Sequence, residues 1–375
     1  MKIALFIPYL LMILLNLLCG IARNSVTVKY QRQQIGNKYY NRITKKARVF
    51  SALLLGLMIF LVILNKENPD YVNYKWMYES GMQVESGWKY LEELAIGFGL
   101  QYDEFKSVVV AISFAILFYG LIKLEINENI VLAIYAFYPF AMDAIQIRNL
   151  LAMALLLYAY HFLVRSDNVG KCLFVGLVII ASTIQSVFPI YLVLLLVNHK
   201  KPTSVRNKLI GILVCCSFIV LAVMKLEPGL VNHIGLLLFA SRPDKVDYYV
   251  QNNVGFGFLI FGMVHALFTL SMHYCRKNNE LISEKEKVLV NSIFWSDLLL
   301  LCTLPLLTIH IEFYRIYRNM CLLNYVALPI LMRRRKTMNG MKGCLCFVAA
   351  WAIYVMMDYF NYAGRFEYVF IPFFR

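Results

Sequence analysis

Three arginines stand beside long apolar stretches and are suited to bind an anion. Arg148 lies in the stretch 144–152, where two apolar segments meet, and Arg315 and Arg318 lie three residues apart near the start of another. A spacing of three puts both guanidiniums on one face of a helix. Planar guanidinium forks match the oxygens of phosphate and diphosphate groups. An arginine next to hydrocarbon is costly unless it pairs or serves a substrate. The pattern therefore predicts a site for an anion such as a phosphate or diphosphate group.

The segment 65–105 combines carboxylates with aromatic rings, which is the composition of a sugar-binding surface. Rings stack against sugar C–H groups, and carboxylates accept hydrogen bonds from hydroxyls or take a proton from one. We expect Tyr74 and Trp88 to contact a glycan. The acidic and aromatic residues of this segment are Asp70, Glu79, Glu85, Glu92, Glu93, Asp103 and Glu104, with Tyr71, Tyr74, Trp76, Tyr78, Trp88 and Tyr90.

Each pattern also has a purely structural interpretation. Arg148 could pair with Asp143 or extend to the membrane surface, and Arg315 could pair with Glu312 one turn earlier. The segment 65–105 could be a solvated acidic loop with an aromatic belt at the interface. The sequence leaves these alternatives open.

Other titratable residues give weaker signals. His233, His265 and His310 could act as bases, but their spacing fits no metal site. Asp297 and Asp358 lie inside apolar blocks, where they could mark an ion path or bridge helices. The sequence has no phosphate-binding glycine loop and no serine nucleophile elbow. We therefore expect neither a metal nor any other cofactor.

The composition predicts a membrane protein made of helices. The chain has 375 residues, 60% hydrophobic and 16% charged, against about 25% charged in soluble domains. The apolar residues form blocks of about 17–21, enough to cross a bilayer as helices. The nine cysteines mostly lie within these blocks as small apolar residues. The net charge is +15, and the basic residues lie in the short loops between apolar blocks, as is usual for cytoplasmic loops of membrane proteins. Because membrane topology accounts for this charge, we expect no nucleic-acid partner.

Charge also predicts the topology. The loop 21–48 has eight basic and no acidic residues, so it is expected in the cytoplasm, with a retained first helix and the amino terminus outside. The block 172–198 is long for one crossing. A short or re-entrant pair, broken near Gln185–Pro189, keeps thirteen later basic residues inside. We therefore predict an all-α polytopic protein, residues 1–375 as one domain, with about twelve membrane segments and both termini outside. Residues 65–105 form an outer loop with an interfacial helix over Trp88–Phe98.

The sequence resembles the EpsG/Wzy-type family of bacterial exopolysaccharide and capsule polymerases. The resemblance rests on Asp70-Tyr-Val-Asn-Tyr74, Glu85-Ser-Gly-Trp88, Ile147-Arg-Asn-Leu-Leu-Ala152 and Arg315-Ile-Tyr-Arg318, and on the order of the apolar blocks. It departs from the family at Gln185-Ser186, where members often have His-Ser. Gln185 cannot be a base, but it can bind a sugar or a phosphate by hydrogen bonds.

The resemblance implies a polymerase in the bacterial cell membrane that acts on undecaprenyl-diphosphate-linked oligosaccharide repeat units. The growing glycan would pass from its lipid diphosphate to a hydroxyl of the next unit, at the outer face. Asp70 or Glu85 would be the base, and Arg148, Arg315 and Arg318 would stabilise the leaving diphosphate. Other capsule or exopolysaccharide assembly proteins are candidate partners. The alternative is a transporter or flippase for a lipid-linked oligosaccharide, which should show internal repeats.

Overall fold

The protein is a bundle of helices, seen in a computed structural model. The structure describes residues 3–82, 85–165, 167–197, 204–227, 229, 233, 257–277 and 283–357, and these contain no β-strand. Asp358, the carboxyl terminus and most of the loop 226–256 lie outside the described residues.

The helices are numbered in chain order. They are α1 (Ile3–Gln31), α2 (Asn37–Leu64), α3 (Pro69–Ser80), α4 (Ser86–Gly97), α5 (Tyr102–Lys123), α6 (Glu128–Phe137), α7 (Phe140–Ile145), α8 (Ile147–Arg165), α9 (Asn168–Ile184), α10 (Ser204–Leu226), α11 (Phe258–Lys277), α12 (Glu284–Leu300), α13 (Leu306–Ile309), α14 (Arg315–Arg333) and α15 (Met338–Met356). Short 3₁₀ helices span Phe188–Leu196, Leu301–Thr303 and Ile311–Tyr314.

Seven described helices are long and apolar enough to cross a membrane: α1, α2, α5, α8, α10, α11 and α15. The protein is therefore a multi-pass membrane protein, but the predicted count of about twelve spans is not confirmed. Two predicted segments are shorter than a bilayer requires. The block 130–142 is the ten-residue α6 followed by α7, and the block 290–309 divides after Leu300.

The long apolar block 172–198 is broken where the sequence predicts. Helix α9 ends at Ile184, and Gln185 is extended, with φ −141° and ψ 114°. A 3₁₀ helix begins at Phe188, with Pro189 in its first turn. This break exposes one side of Gln185 at the end of α9.

Helix α14 is the central element of the bundle. Most of its residues are buried, including the polar Arg318, Asn319 and Asn324. It packs against α1, α6, α8, α11, α12 and α15. Protein surrounds this helix on most sides, so its polar residues find partners that lipid could not provide.

The carboxyl-terminal ends of three helices, α1, α11 and α14, meet at one end of the bundle. Arg333 at the end of α14 pairs with Glu286 of α12, and Gln31 at the end of α1 donates to the same carboxylate at 3.3 Å. Arg334 donates to the carbonyl of Cys275 near the end of α11. The carboxyl-terminal ends of α1, α11 and α14 thus lie together, as charge predicts, and Arg315 lies at the other end of α14.

The segment 65–105 contains two short helices, α3 and α4, and the start of α5. Tyr90 and Leu94 are exposed on α4, and Phe98, directly after it, is 76% exposed. Trp88 and Ala95 face the interior. An apolar outer face on a short helix is typical of a helix lying at a membrane surface.

Candidate functional site

A cavity of about 400 Å³ lies where α3, the starts of α8 and α14, and the break after α9 meet. This volume is within the usual range of small-molecule sites, roughly 300–1,000 Å³. We call it the Arg148 cavity. Its lining is polar and charged for the most part: Asp70, Asn73, Tyr74, Trp76, Met77, Gln146, Arg148, Asn149, Gln185, Glu312 and Arg315.

Helix α3 places Asp70 and Tyr74 at the cavity. Asn68 caps the helix by accepting a hydrogen bond from the Tyr71 backbone at 2.8 Å, and Pro69 fits its first turn. The helix ends at Gly81, whose φ of +67° suits glycine. Asp70 and Tyr74 are four residues apart, so they share one face.

Two hydrogen bonds fasten α3 to the rest of the protein. The Tyr71 hydroxyl donates to Asp103 at 2.8 Å, and Asp103 also pairs with Lys66 at 2.5 Å. The Tyr78 hydroxyl donates to the carbonyl of Leu100 at 2.7 Å. These contacts fix the position of α3 along the bundle and its rotation about its own axis, and so fix the position of Asp70.

Arg148 is held from two sides. Its Nη1 lies 2.6 Å from Glu85 Oε2, and its guanidinium lies over the Tyr74 ring, 4.9 Å from the centroid. Glu85 is the residue that begins α4, and its side chain is 9% exposed. It does not line the cavity, so it contacts Arg148 from behind. Arg148 therefore pairs with Glu85, and the alternative pair with Asp143 that the sequence offers is wrong, because Asp143 lies beside Arg318.

The position of Glu85 depends on a close approach between α4 and α9. A Cβ added to Gly87 would lie 2.1 Å from Thr183 Oγ1 and 3.1 Å from the Thr183 backbone. Only glycine permits this approach, which brings the start of α4 against the end of α9. The same contact places Glu85 close to the end of α9 and Gln185 close to the start of α4.

Arg315 has the partner that its spacing predicts. Its Nη2 lies 3.0 Å from Glu312 Oε2, one turn earlier. His310 Nδ1 accepts a hydrogen bond from the Glu312 backbone at 3.2 Å and so caps the 3₁₀ helix that precedes Arg315. His310 therefore has a structural contact here.

Several features of the cavity favour an anion. The Nε atoms of Arg148 and Arg315 are buried and have no hydrogen-bond partner among the described residues. Helices α8 and α14 both begin at the cavity, and the amino-terminal end of a helix carries partial positive charge. The two guanidiniums of the lining and the positive helix ends together suit a phosphate oxygen.

Arg318 is fully buried behind the cavity wall, at 0% exposure. Its Nη2 donates to Gln146 Oε1 at 2.6 Å, and its Nη1 donates to the Tyr314 hydroxyl at 3.0 Å. Its Nη2 also lies 3.8 Å from Asp143 Oδ1. The structure thus puts Arg318 one layer behind Gln146 and does not bring it to the lining with Arg148 and Arg315.

Asp70 is the lining carboxylate without an ion pair to any described residue. Burial raises the pKa of Asp70 above its ordinary value of 3.8. The positive charges of Arg315 and Arg148 oppose that shift, and Glu312 adds to it. A partly desolvated carboxylate with a raised pKa is a better proton acceptor than an ordinary aspartate.

Trp88 and Gln185 have different positions. Trp88 is fully buried, and its indole N–H donates to Glu92 at 2.7 Å. Its ring packs 6.5 Å from that of Tyr74, so it supports Tyr74 and does not reach the cavity. Gln185 lines the cavity at the break after α9. Trp76 is the exposed tryptophan of the lining.

Three lining residues with amide side chains, and Glu312, were not among the predicted site residues. Asn73 lies between Asp70 and Tyr74 in sequence, and Gln146 and Asn149 flank Arg148. Asn149 also exchanges hydrogen bonds with Asn319 of α14, the shorter at 2.9 Å. Their proximity to predicted residues along the helices was the available signal.

The buried pair His265 and Asp297 lies apart from this cavity. His265 Nε2 is 2.8 Å from the Asp297 carbonyl, and Asn324 donates to Asp297 Oδ1 at 3.2 Å. These residues join α11, α12 and α14 inside the bundle. His265 and Asp297 therefore bridge helices, one of the two roles that the sequence allowed for Asp297.

The fold and the cavity define a multi-pass helical membrane protein whose site holds two arginines, each paired with a carboxylate, and an aspartate with no ion pair to any residue that the structure describes. A model of the EpsG family matches residues 48–373, so the chain belongs to the EpsG family. That match covers the greater part of α2, all of α3 to α15 and every residue of the Arg148 cavity. Searches of curated proteins and of solved structures found no match.

Proposed function

We propose that the protein joins undecaprenyl-diphosphate-linked oligosaccharide repeat units into an exopolysaccharide or capsule at the outer face of the cell membrane. The proposal rests first on membership of the EpsG family, which suggests a polysaccharide polymerase. The observation that carries the chemistry is the Arg148 cavity. It brings a carboxylate with a raised pKa together with two arginines and two aromatic rings.

In the proposed reaction Asp70 is the base. Its carboxylate accepts the proton of a sugar hydroxyl on the incoming lipid-linked unit. The hydroxyl oxygen then forms a bond to the anomeric carbon of the growing glycan. The bond from that carbon to the diphosphate oxygen breaks, and undecaprenyl diphosphate leaves. The chemistry needs no nucleotide, because the diphosphate is itself a good leaving group.

Arg148 and Arg315 stabilise the charge that develops on the leaving diphosphate. Donors aimed at developing charge in a site with little water typically contribute a factor of about 10²–10³ each. Glu85 and Glu312 hold the two guanidiniums in place before substrate binds. Preorganised donors need not reorient during the reaction, which is why they lower the barrier.

The remaining predicted residues fall into two groups. Gln185, Tyr74 and Trp76 line the cavity and are the proposed contacts to the glycan. Arg318 and Trp88 are positioning residues, because Arg318 orients Gln146 and Trp88 supports Tyr74. Glu85, which the sequence offers as a second base, is proposed here to position Arg148.

The test is deletion of the gene in the native host, followed by analysis of lipid-linked glycans in each leaflet. A polymerase predicts single repeat units accumulating on the outer leaflet and no long polymer. Single units confined to the inner leaflet would instead identify a flippase.

Complementation adds a residue-level control. An Arg148→Ala variant expressed at the wild-type level should leave single units on the outer leaflet. Lys89→Ala is the matched control, because Lys89 forms an exposed pair with Glu93 on α4, away from the cavity. Polymerisation at the wild-type rate by Arg148→Ala would remove that residue from the mechanism.

A further inference from the structure

A second, larger cavity of about 480 Å³ lies at the opposite end of α14. We call it the basic cavity. Six of its thirteen lining residues are Lys or Arg, and none is acidic. The lining is Ile21, Asn24, Ser25, Val28, Lys29, Arg32, Gln34, Met332, Arg333, Arg334, Arg335, Lys336 and Thr337.

The walls of this cavity are fixed by the fold. Asn24 of α1 donates to the carbonyl of Pro329 in α14 at 2.9 Å, which joins the two helices just above the cavity. Arg334 is 2% exposed and donates to the Cys275 carbonyl. The loop is closed by Thr337, which bonds back to Arg334 and caps α15 through Gly340.

Four basic side chains of the basic cavity have no ion pair with any described residue: Lys29, Arg32, Arg335 and Lys336. They come from two segments far apart in sequence, and they are exposed. The rule that cytoplasmic loops are basic accounts for such residues in a loop, but it does not require them to line one concave site. Convergent unpaired cations repel one another, and a bound anion relieves that repulsion.

The lining also has an apolar part, formed by Ile21, Val28 and Met332. Apolar groups beside cations match an amphiphile with a charged head and a hydrocarbon chain. The position fits this ligand as well. Residues 315 and 333 are about 27 Å apart along α14, close to the roughly 30 Å of a bilayer core, so the two cavities lie at opposite membrane surfaces.

We propose that the basic cavity binds the phosphate group of an anionic lipid in the leaflet opposite the Arg148 cavity. Guanidinium and ammonium groups at membrane surfaces bind such headgroups, and each contributes roughly a fivefold factor. The basic cavity is separate from the proposed polymerisation site, and this inference does not depend on the reaction.

The test compares two triple variants of the full-length purified protein with equal loss of charge. Arg32→Gln, Arg335→Gln and Lys336→Gln remove exposed cations of the basic cavity. Lys38→Gln, Lys45→Gln and Lys46→Gln remove exposed cations of the loop 21–48 that do not line it. Native mass spectrometry measures affinity for short-chain phosphatidylglycerol, for short-chain phosphatidylcholine and for inorganic pyrophosphate.

We expect the triple variant of the basic cavity to bind phosphatidylglycerol about tenfold or more weakly than the wild type, and the triple variant of the loop 21–48 to bind it about as well as the wild type. Phosphatidylcholine should bind weakly to every variant. Pyrophosphate that binds as tightly as the lipid, and is lost in the same triple, would keep the phosphate site but make its ligand soluble. Equal weakening in both triples, or in neither, would overturn the site.

A second variant tests the cavity without changing its charge. Ser25→Trp places an indole at the lining, where the small Ser25 side chain is exposed. We expect it to block phosphatidylglycerol as strongly as the triple variant of the basic cavity does. Unchanged lipid binding in a folded Ser25→Trp protein would show that lipid binds by surface charge alone.

Discussion

The two cavities at the ends of α14 hold their cations in opposite ways. In the Arg148 cavity each lining arginine has a carboxylate, with Arg148 at 2.6 Å from Glu85 and Arg315 at 3.0 Å from Glu312. In the basic cavity the four exposed cations have no ion pair with any described residue. One site is close to neutral and the other is strongly positive.

This difference separates two tasks. Unpaired cations bind any anion tightly in its ground state, which suits a site that only retains a ligand. Catalysis needs interactions that strengthen as charge develops, because equal binding of substrate and transition state does not raise kcat. A carboxylate partner fixes the orientation of an arginine and reduces the net positive charge of the site. In the proposed reaction such arginines would favour the leaving diphosphate over a resting one.

The largest expected effect is the loss of the base. We expect Asp70→Asn to lower the polymerisation rate by about 10²-fold or more, since general base catalysis contributes that much. The assay is polymer length and rate in membranes supplied with lipid-linked repeat units. Glu79→Gln is the control, because Glu79 is an exposed carboxylate on the same helix. Full activity in Asp70→Asn would assign the proton to another group.

Arg148 and Glu85 should act as one unit. We expect Arg148→Ala to reduce kcat by about 10²-fold and Glu85→Gln to reduce it less, because the arginine remains. The double variant should be no slower than Arg148→Ala alone, since residues that act through one another are not additive. Additive losses in the double variant would give Glu85 a role of its own in the chemistry.

The close approach at Gly87 should matter more than an ordinary helix glycine. Gly87→Ala forces α4 away from Thr183, which moves Glu85 and with it Arg148. We expect a loss of roughly tenfold in kcat, because an error of about 1 Å can cost up to about 10²-fold. Gly97→Ala on the same helix meets nothing within 4 Å and is the matched control. Equal behaviour of both variants would contradict this geometry.

The pH profile sharpens the role of paired charge. A base acts in its ionised form, so kcat/KM should fall as pH drops through the raised pKa of Asp70, above 3.8. Arg315→Gln removes a cation that lowers this pKa, so the limb should move to higher pH. Glu312→Gln removes an anion that raises it, so the limb should move to lower pH. A limb that stays fixed in both variants would mean that another group titrates.

The smallest expected effect is at Gln185. Gln185→His introduces the residue that the resemblance to EpsG/Wzy-type polymerases suggests at this break, and we expect activity within about threefold of wild type, since most of the barrier reduction comes from other groups. Gln185→Ala should raise KM with little change in kcat, because it removes binding that substrate and transition state share. A large drop in kcat for Gln185→Ala would place Gln185 in the chemical step.

Much of the fold follows from the sequence because lipid imposes simple rules. The lengths of the apolar blocks predict the long helices. The basic residues predict that the ends of α1, α11 and α14 lie on the same side, and the structure places these three helix ends together. The span count does not follow. Helix α14 carries Arg318, Asn319 and Asn324 and is enclosed by protein, so hydropathy alone cannot describe its surroundings.

The candidate site follows in part for the same reason. Asp70, Tyr74, Arg148, Gln185 and Arg315 share one cavity. Their roles remain proposals, but their grouping agrees with the sequence motifs. Depth behind the surface depends on neighbours that are distant in sequence, and no local pattern records it. Trp88 and Arg318 have the right chemistry and lie one layer too deep.

The exposed apolar face of α3 and α4 has a consequence for how the membrane itself affects the protein. Val72 and Trp76 on α3, Tyr90 on α4 and Phe98 just after α4 are exposed, so we propose that these short helices lie at a preferred depth in the headgroup region. The position of the long helices depends instead on the thickness of the hydrocarbon core. A change in acyl-chain length creates hydrophobic mismatch between these two references. Asp70 lies on α3 and Arg148 on the long helix α8, so we expect bilayer thickness to change their separation only as far as the hydrogen bonds from α3 to Asp103 and Leu100 allow.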